Sequence, residues 1–360
     1  MAYTTIDDPS AYFQTALYTG NGSTQSITND GNSNLQPDLI WAKNRNDAYD
    51  NVLGDSTRGA GLSLISNSTS AEVNEGTNGL TSFDSDGFSL GGNSGGWNFS
   101  AKTYVARQWK ANGGTTSSNT SGTITSTVQA NTDAGFSIVT YTGNGSSSQT
   151  IGHGLGVTPD IVISKSRDSS YTYPQWYVYH KDLSTNYFLM LNQTNAELNG
   201  NGNYYVDSSF SSSVFGVGND IYGPNVNGDD YIAYCFAEKQ GYSKFGRYEG
   251  NGYNTGSYIY LGFKPAFFMV KSKSNTSNWL ILDSKRDPNN FGTPGGTGTH
   301  RLFPNLSNAE DVSEAYDFFA NGFQPRNSGS LANIGAQEYV YMAFAENPFV
   351  TSTGIPTTAR

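Results

Sequence analysis

Two carboxylates one residue apart, Asp84 and Asp86, stand in the stretch FDSDGF. Paired acids do two kinds of chemistry: they flank a glycosidic bond as acid and base, or they ligate a hard cation such as Ca2+. The D-x-D-G spelling resembles the start of a calcium loop, but the glutamate that closes a full loop is missing. Asp84 and Asp86 are the calcium candidates, and a structural turn is the plainer reading. Asp229-Asp230 in NGDDY reads the same way.

Other reactive types are sparse. The histidines are His153, His180 and His300, none in H-E-x-x-H or another paired-ligand spacing. His153, in IGHGLG, has no nucleophile elbow beside it and reads as a loop residue. The single cysteine, Cys235, lies in the apolar run YIAYCFA; it allows no intrachain disulfide and reads as a buried small hydrophobe. Gly20-Asn21-Gly22 hints at a phosphate cradle, but no long helix pattern follows to lend its dipole, and no Walker sequence exists. Asn-Gly is a strong turn signal, so a bend is expected there. These residues predict no catalytic group and no cofactor, and the chain reads as a protein that is not an enzyme.

Aromatic side chains are the remaining candidates. Trp97 in GGWNFS, Tyr171, Tyr173 and Trp176 in SSYTYPQWYVYH, and Tyr204 and Tyr205 in GNYYVD fall in loop-like contexts. They are the expected surface contacts to glycan or protein. The chain has 24 Tyr, 20 Phe and 5 Trp among its 360 residues, while charged residues are only 14%. A net charge of −10 without Lys/Arg clusters argues against nucleic acid as partner. No apolar stretch approaches the roughly 18 residues of a membrane helix, so no membrane insertion is expected. The opening MAYTTIDDPSAYF lacks a signal-peptide pattern, so synthesis in a cytoplasm is expected.

The elements that would position these residues recur three times. YTGNG stands at Tyr18–Gly22 and Tyr141–Gly145, and YEGNG at Tyr248–Gly252. A proline follows each tyrosine by 19, 18 and 17 residues (Pro37, Pro159, Pro265), and a lysine stands six after each proline: Lys43, Lys165, Lys271. NSTSAE, NQTNAE and NLSNAE end on Glu72, Glu197 and Glu310. Their S/T-x-x-E spelling matches a capping box, which predicts a short helical turn in each unit. Each unit closes on an aromatic strand: TYVARQW, YIAYCFAE and YVYMAFAE.

The expected organisation is an N-terminal arm 1–11, a first unit 12–111, a Gly/Ser/Thr linker 112–134, a second unit 135–240, a third unit 241–349 and a tail 350–360. TITSTVQ within the linker alternates and could add an edge strand to a neighbour. Short alternating segments bounded by Gly, Asn, Asp and Ser are the strand signature. The predicted class is all-β: three tandem antiparallel β-sandwich domains, jelly-roll or concanavalin-like, with an immunoglobulin-type Greek key as the alternative.

Written out in this way, the chain resembles a group of three-repeat β proteins encoded by marine tailed bacteriophages and labelled tail-fibre-like or structural. The resemblance rests on MAYTTIDDPSAYFQTALYTGNG, LTSFDSDGF, DAGFSIVTYTGNG, HGLGVTPDIVI, YIAYCFAEKQGYSKFG, GFKPAFFMVK and the close AFAENPF…IPTTAR. It implies a virion structural protein, with localisation in the virion. The expected role is a tail fibre, spike or tail-tip component that contacts a host-surface glycan or outer-membrane protein; the alternatives are a capsid-decorating head protein and, last, a glycan depolymerase. Partners would be other tail or capsid proteins, in a homo-oligomer with a trimer favoured. The group carries no catalytic motif, so no functional residue transfers.

Overall fold

The computed structural model describes residues 3–168, 174–219, 223–288, 298–313, 316–329 and 331–357. Every regular element of consequence among them is a strand, and all the ladders between named strands are antiparallel. In the first unit the opening strand Phe13–Thr19 pairs with the closing strand Thr103–Trp109. That strand then pairs with Leu39–Asn44, and a meander continues through Asn51–Asp55 to Leu62–Ile65. The second unit repeats this order with Phe136–Thr142, Asp230–Phe236, Ile161–Ser166, Trp176–His180 and Tyr187–Met190. The third repeats it with Ser243–Glu249, Glu338–Pro348, Phe263–Ser272 and Leu280–Asp283. A smaller two- or three-stranded sheet covers the outer face of each main sheet, so each unit is a β-sandwich with unequal layers.

The second and third closing strands read as apolar runs because both of their faces are buried, while the first buries Arg107 and Gln108 as well. Tyr231, Ala233 and Cys235 face the second unit's own sandwich core, while Ile232, Tyr234 and Phe236 face a different core. That other core is common to all three units. It gathers Phe13, Trp41 and Trp109 of the first, Ile138, Ile163 and Phe236 of the second, and Phe267, Met269 and Phe344 of the third. Three equivalent positions meet at its centre: the ring centroids of Trp109, Phe236 and Phe344 lie 6.4, 5.9 and 5.7 Å apart around a triangle. Large rings dominate such cores, because each removes about 150–250 Å2 from water and still packs edge to face. Tandem order in sequence has therefore become a closed pseudo-threefold ring rather than a string of three separate sandwiches.

One expectation is corrected. The S/T-x-x-E segments form no helical turn; the helical segments among the described residues are the single 3-10 turns Pro9–Ala11 and Asp207–Ser209. The alternating stretch of the linker does add strands to a neighbour. Ser117–Asn119 and Ser126–Asn131 extend the second main sheet beside Phe136–Thr142, and Ile124 bridges Ile151 of the small sheet. The arm before the first unit ties the ring shut: Thr4 Oγ1 donates to Gln240 O at 2.8 Å, and the Asp7 carboxylate accepts from Ser352 N at 2.6 Å.

Candidate functional site

The glutamates expected to cap helices instead join the units. The Glu72, Glu197 and Glu310 N–H groups each donate to the carbonyl of a basic residue in the next unit: Arg167 at 3.0 Å, Lys273 at 2.9 Å and Arg45 at 2.9 Å. Their carboxylates meet the same three side chains, at 2.9, 3.9 and 2.7 Å. A second cyclic set runs the other way around the ring. Trp176 Nε1 donates to Ile65 O at 2.8 Å, Trp279 Nε1 to Met190 O at 2.9 Å, and Asn51 Nδ2, at the equivalent position, to Phe303 O at 3.1 Å. Each glutamate N–H is used across the seam, and so are the carboxylates of Glu72 and Glu310.

Two seams carry buried ion networks and one does not. Between the first and second units, Arg58 bonds Asp55 at 2.5 Å and Glu72 at 2.9 Å, and Tyr234 donates its hydroxyl to Asp55 at 2.8 Å. Between the third and first, Arg286 bonds Asp283 at 2.7 Å and Glu310 at 2.9 Å, and Arg107 adds a second guanidinium to Asp283 at 2.9 Å. Burial works to raise the pKa of Glu72 and of Glu310, and the neighbouring guanidiniums overcome it and hold both carboxyls below their usual range. Between the second and third units, His180 and Leu183 replace the Asp and Arg; burial pushes His180 down to about 3, so it sits there neutral, its Nε2 on Tyr341 O at 3.2 Å.

The glycine pentapeptides are locks, not ligand loops. Tyr18, Tyr141 and Tyr248 stack on closing-strand tyrosines Tyr104, Tyr231 and Tyr339 at 5.0, 5.2 and 5.1 Å. A buried asparagine pins each bend: the Oδ1 atoms of Asn98, Asn225 and Asn333 accept from Asn21, Asn144 and Asn251 N at 3.0, 2.9 and 2.9 Å. A Cβ on Gly20, Gly143 or Gly250 would collide with the carbonyl of Phe99, Val226 or Ile334, whereas Gly22, Gly145 and Gly252 adopt φ of +68°, +66° and +74°. The asparagine of the pentapeptide keeps negative φ and instead accepts, in an Asx turn, from the residue two further on. The three repeat lysines are buried as well, their Nζ atoms on the carbonyls of Asn44, Ser166 and Ser272 at 2.6, 2.7 and 2.5 Å. Burial lowers Lys43 to about 8 and Lys165 and Lys271 to about 7.

Of the four described aromatics expected at the surface, three are inside. Trp97 is buried, its Nε1 shared between Ser63 Oγ at 3.0 Å and Glu75 Oε1 at 3.1 Å. Trp176 is buried in the seam described above, and Tyr205 is buried with its hydroxyl 2.6 Å from Ser164 Oγ. Their indole N–H and phenol O–H groups have protein partners, which lets the rings leave water. Tyr204 is half-buried, stacked on Phe188 at 4.1 Å. Tyr171 and Tyr173 lie outside the described residues. Asp84 accepts from Ser82 Oγ at 2.6 Å and Ser89 Oγ at 2.7 Å, while Asp86 accepts from Leu35 N at 3.1 Å. Among the described residues neither belongs to a group of three potential metal ligands, so the pair reads as part of a turn network. His153 is buried, its Nε2 on Ser211 O at 3.2 Å, and Cys235 is buried too.

The exposed aromatic surface is one the sequence did not single out. On the outer face of the third unit's small sheet, Tyr258 and Tyr260 are 44 and 51% exposed. Tyr258 lies over Gly322, edge-on to Phe319 at 5.6 Å, with its hydroxyl on Asn321 Oδ1. The Tyr260 hydroxyl meets that of Tyr3 at 3.1 Å. Equivalent positions, fixed by the pairing of Ile27, Ile151 and Ile259 with Phe88, Phe215 and Phe323, hold Ser26 and Thr28 in the first unit and Thr150 and Gly152 in the second. The same scaffold thus presents a serine–aspartate face on one unit and a tyrosine shelf on another. The signal was available: only the third copy spells tyrosines, SYIYLG, after its pentapeptide.

A family model described as a domain of unknown function, DUF7483, matches residues 8–348, so the chain belongs to that family. The match runs through all three units and the segment between the first two. No curated protein and no solved structure matches the chain.

Proposed function

We propose that this member of the DUF7483 family is a structural component of a bacteriophage virion, set on the tail, which meets the host surface through the tyrosine shelf of its third unit. The observation that carries this reading is the closed ring around Trp109, Phe236 and Phe344. One polypeptide supplies the threefold body that fibre and spike proteins commonly assemble from three chains. The resemblance to three-repeat tail-fibre-like proteins supports the same class. Exposed tyrosines offer rigid amphipathic contact area at low entropic cost, which suits binding to glycan or outer-membrane protein.

Immunogold labelling of intact virions with an antibody to the chain tests the placement: gold at the tail is expected. The purified protein should also block phage adsorption, and the double variant Tyr258→Ser, Tyr260→Thr should block it less. Gold confined to capsid faces would favour the second reading, a head-decorating protein, which the pseudo-threefold body also suits because capsids offer local threefold positions. Absence of the protein from purified virions would end both.

A further inference from the structure

Arg107 stands in one row of the first unit's main sheet with its direct cross-strand neighbours Thr15 and Trp41, on the face turned to the shared core. The same row reads Ile138, Tyr234 and Ile163 in the second unit, and Phe245, Met342 and Met269 in the third. Only the first unit has placed a charge there, and Arg107 is fully buried. We propose that this row binds one small monovalent anion of the halide class, such as chloride, held by the Arg107 guanidinium.

The guanidinium has donors to spare. Arg107 Nη2 donates to Asp283 Oδ2 at 2.9 Å, while Nε and Nη1, both buried, have no hydrogen-bond partner among the described residues. Thr15 Oγ1 and Trp41 Nε1, on either side of Arg107 in the sheet, are buried and unpartnered as well. Guanidinium and indole N–H groups can only donate, and a hydroxyl can donate too. Cross-strand neighbours hold their Cβ atoms about 4.5–5.5 Å apart, so these donors share one small region. The Phe267 ring, 5.9 Å from the guanidinium carbon, offers a π face but no net charge.

The charge count points to an anion. In the bonded network between the first and second units, Arg58 and Arg167 meet Asp55 and Glu72, two against two, with neutral Tyr234 in the place of Arg107. Between the third and first units, Arg45, Arg107 and Arg286 meet Asp283 and Glu310, three against two. A buried charge is costly unless it is paired and hydrogen-bonded. Burial lowers Arg107 to about 10, whereas at Arg286 the effect of burial is overcome by Asp283 and Glu310. One monovalent anion balances the network, and a dianion would overshoot it. Thr15 also lines an open cleft of about 440 Å3 between the first and third units, which gives a small ion a short way to the guanidinium. The site does not depend on where in a particle the chain resides.

Melting of the full-length protein is followed in NaCl or NaBr, with sodium gluconate replacing the halide at constant ionic strength. Tm should rise with halide concentration, as mass action at a site present only in the folded state requires. Arg107→Met installs the residue that the third unit carries at this position and leaves Asp283 its bond from Arg286. It should abolish the halide-specific rise, and comparison with it separates the site from general salt effects on burial. Crystals grown in NaBr should show an anomalous bromide peak within hydrogen-bond reach of Arg107 Nε or Nη1, a result that stands even if Arg107→Met fails to fold. Identical Tm in chloride and gluconate overturns the proposal, as does a halide response kept in full by folded Arg107→Met. Bromide found elsewhere on the protein and absent from Arg107 overturns it as well.

Discussion

Arg167 grips Glu72 with two hydrogen bonds, 3.0 and 2.9 Å, across 95 positions of sequence. The same carboxylate takes Arg58 Nη1 at 2.9 Å, so one glutamate holds two guanidiniums at the seam between the first two units. Its counterpart Glu197 reaches Lys273 only at 3.9 Å and spends its oxygens on Ser184 N and Oγ, at 2.9 and 2.8 Å. The three seams share a geometry and differ in strength.

Glu72→Ala should therefore cost more than Glu197→Ala. Removing Glu72 leaves the fully buried Arg58 with one carboxylate instead of two; breaking such a pair costs about 3 kcal/mol. Glu197→Ala loses a loose 3.9 Å contact to Lys273 and two bonds to a turn, worth about 1–2 kcal/mol. Urea unfolding of the two variants checks the order, and equal losses would refute it.

The asparagine locks give a second test. Asn98 donates to Ser23 O at 2.6 Å and Gly91 O at 2.7 Å, and accepts from Asn21 N and Gln25 Nε2. Asn98→Ala orphans these groups and should destabilise by about 2–3 kcal/mol. Amide exchange at Asn21 and Ser23 should rise together, since the bend loses its pin.

The central triangle offers a third. Trp109→Phe installs the residue that the second unit carries at the equivalent position, and should cost under about 1.5 kcal/mol. Trp109→Ala should cost about 3–5 kcal/mol and should loosen all three units, because Trp109 touches Phe236 and Phe344 as well as Phe13. Exchange protection lost in the first unit alone would contradict a shared core.

Stability should also depend on pH in a stated direction. Lys43, Lys165 and Lys271 are lowered to about 8, 7 and 7 by burial, against about 10.4 in an unfolded chain. Between those values the unfolded state binds more protons, so stability rises with pH from 7 toward about 9. The buried Cys235 thiol, also pushed up, works the other way above about pH 8.5, but one thiol does not outweigh three lysines. Beyond about pH 10 the trend reverses, since Tyr18, Tyr141, Tyr234 and Tyr242 keep their protons only when folded. Urea midpoints across this range check it, and Lys165→Met should remove about a third of the rise.

The all-β class and the repeat were legible because strands and turns are local: alternation, Asn-Gly bends and recurrent offsets are written in short windows. The ring was not, since nothing in a strand's spelling says which neighbour its second face meets. Glu72, Glu197 and Glu310 illustrate the loss. Their S/T-x-x-E spelling fits a cap, and the competing partner lies a unit away. The partner was spelled out too, as a basic residue two after each repeat lysine: Arg45, Arg167, Lys273. Likewise an asparagine stands six before each closing tyrosine, at Asn98, Asn225 and Asn333. Trp97, Trp176 and Tyr205 were misplaced because a polar flanking sequence resembles a loop whether or not the ring turns inward.

Fusing the ring into one chain also fixes its valency. A true homotrimer would repeat any tyrosine shelf three times and gain avidity from the repetition. Here the shelf of Tyr258 and Tyr260 occurs once per molecule, because Ser26, Thr28, Thr150 and Gly152 fill the equivalent places. Each unit is free to diverge on its outer face while the shared interior stays matched. On the proposed function, a single molecule makes one such contact, and avidity would come from how many copies are arrayed together.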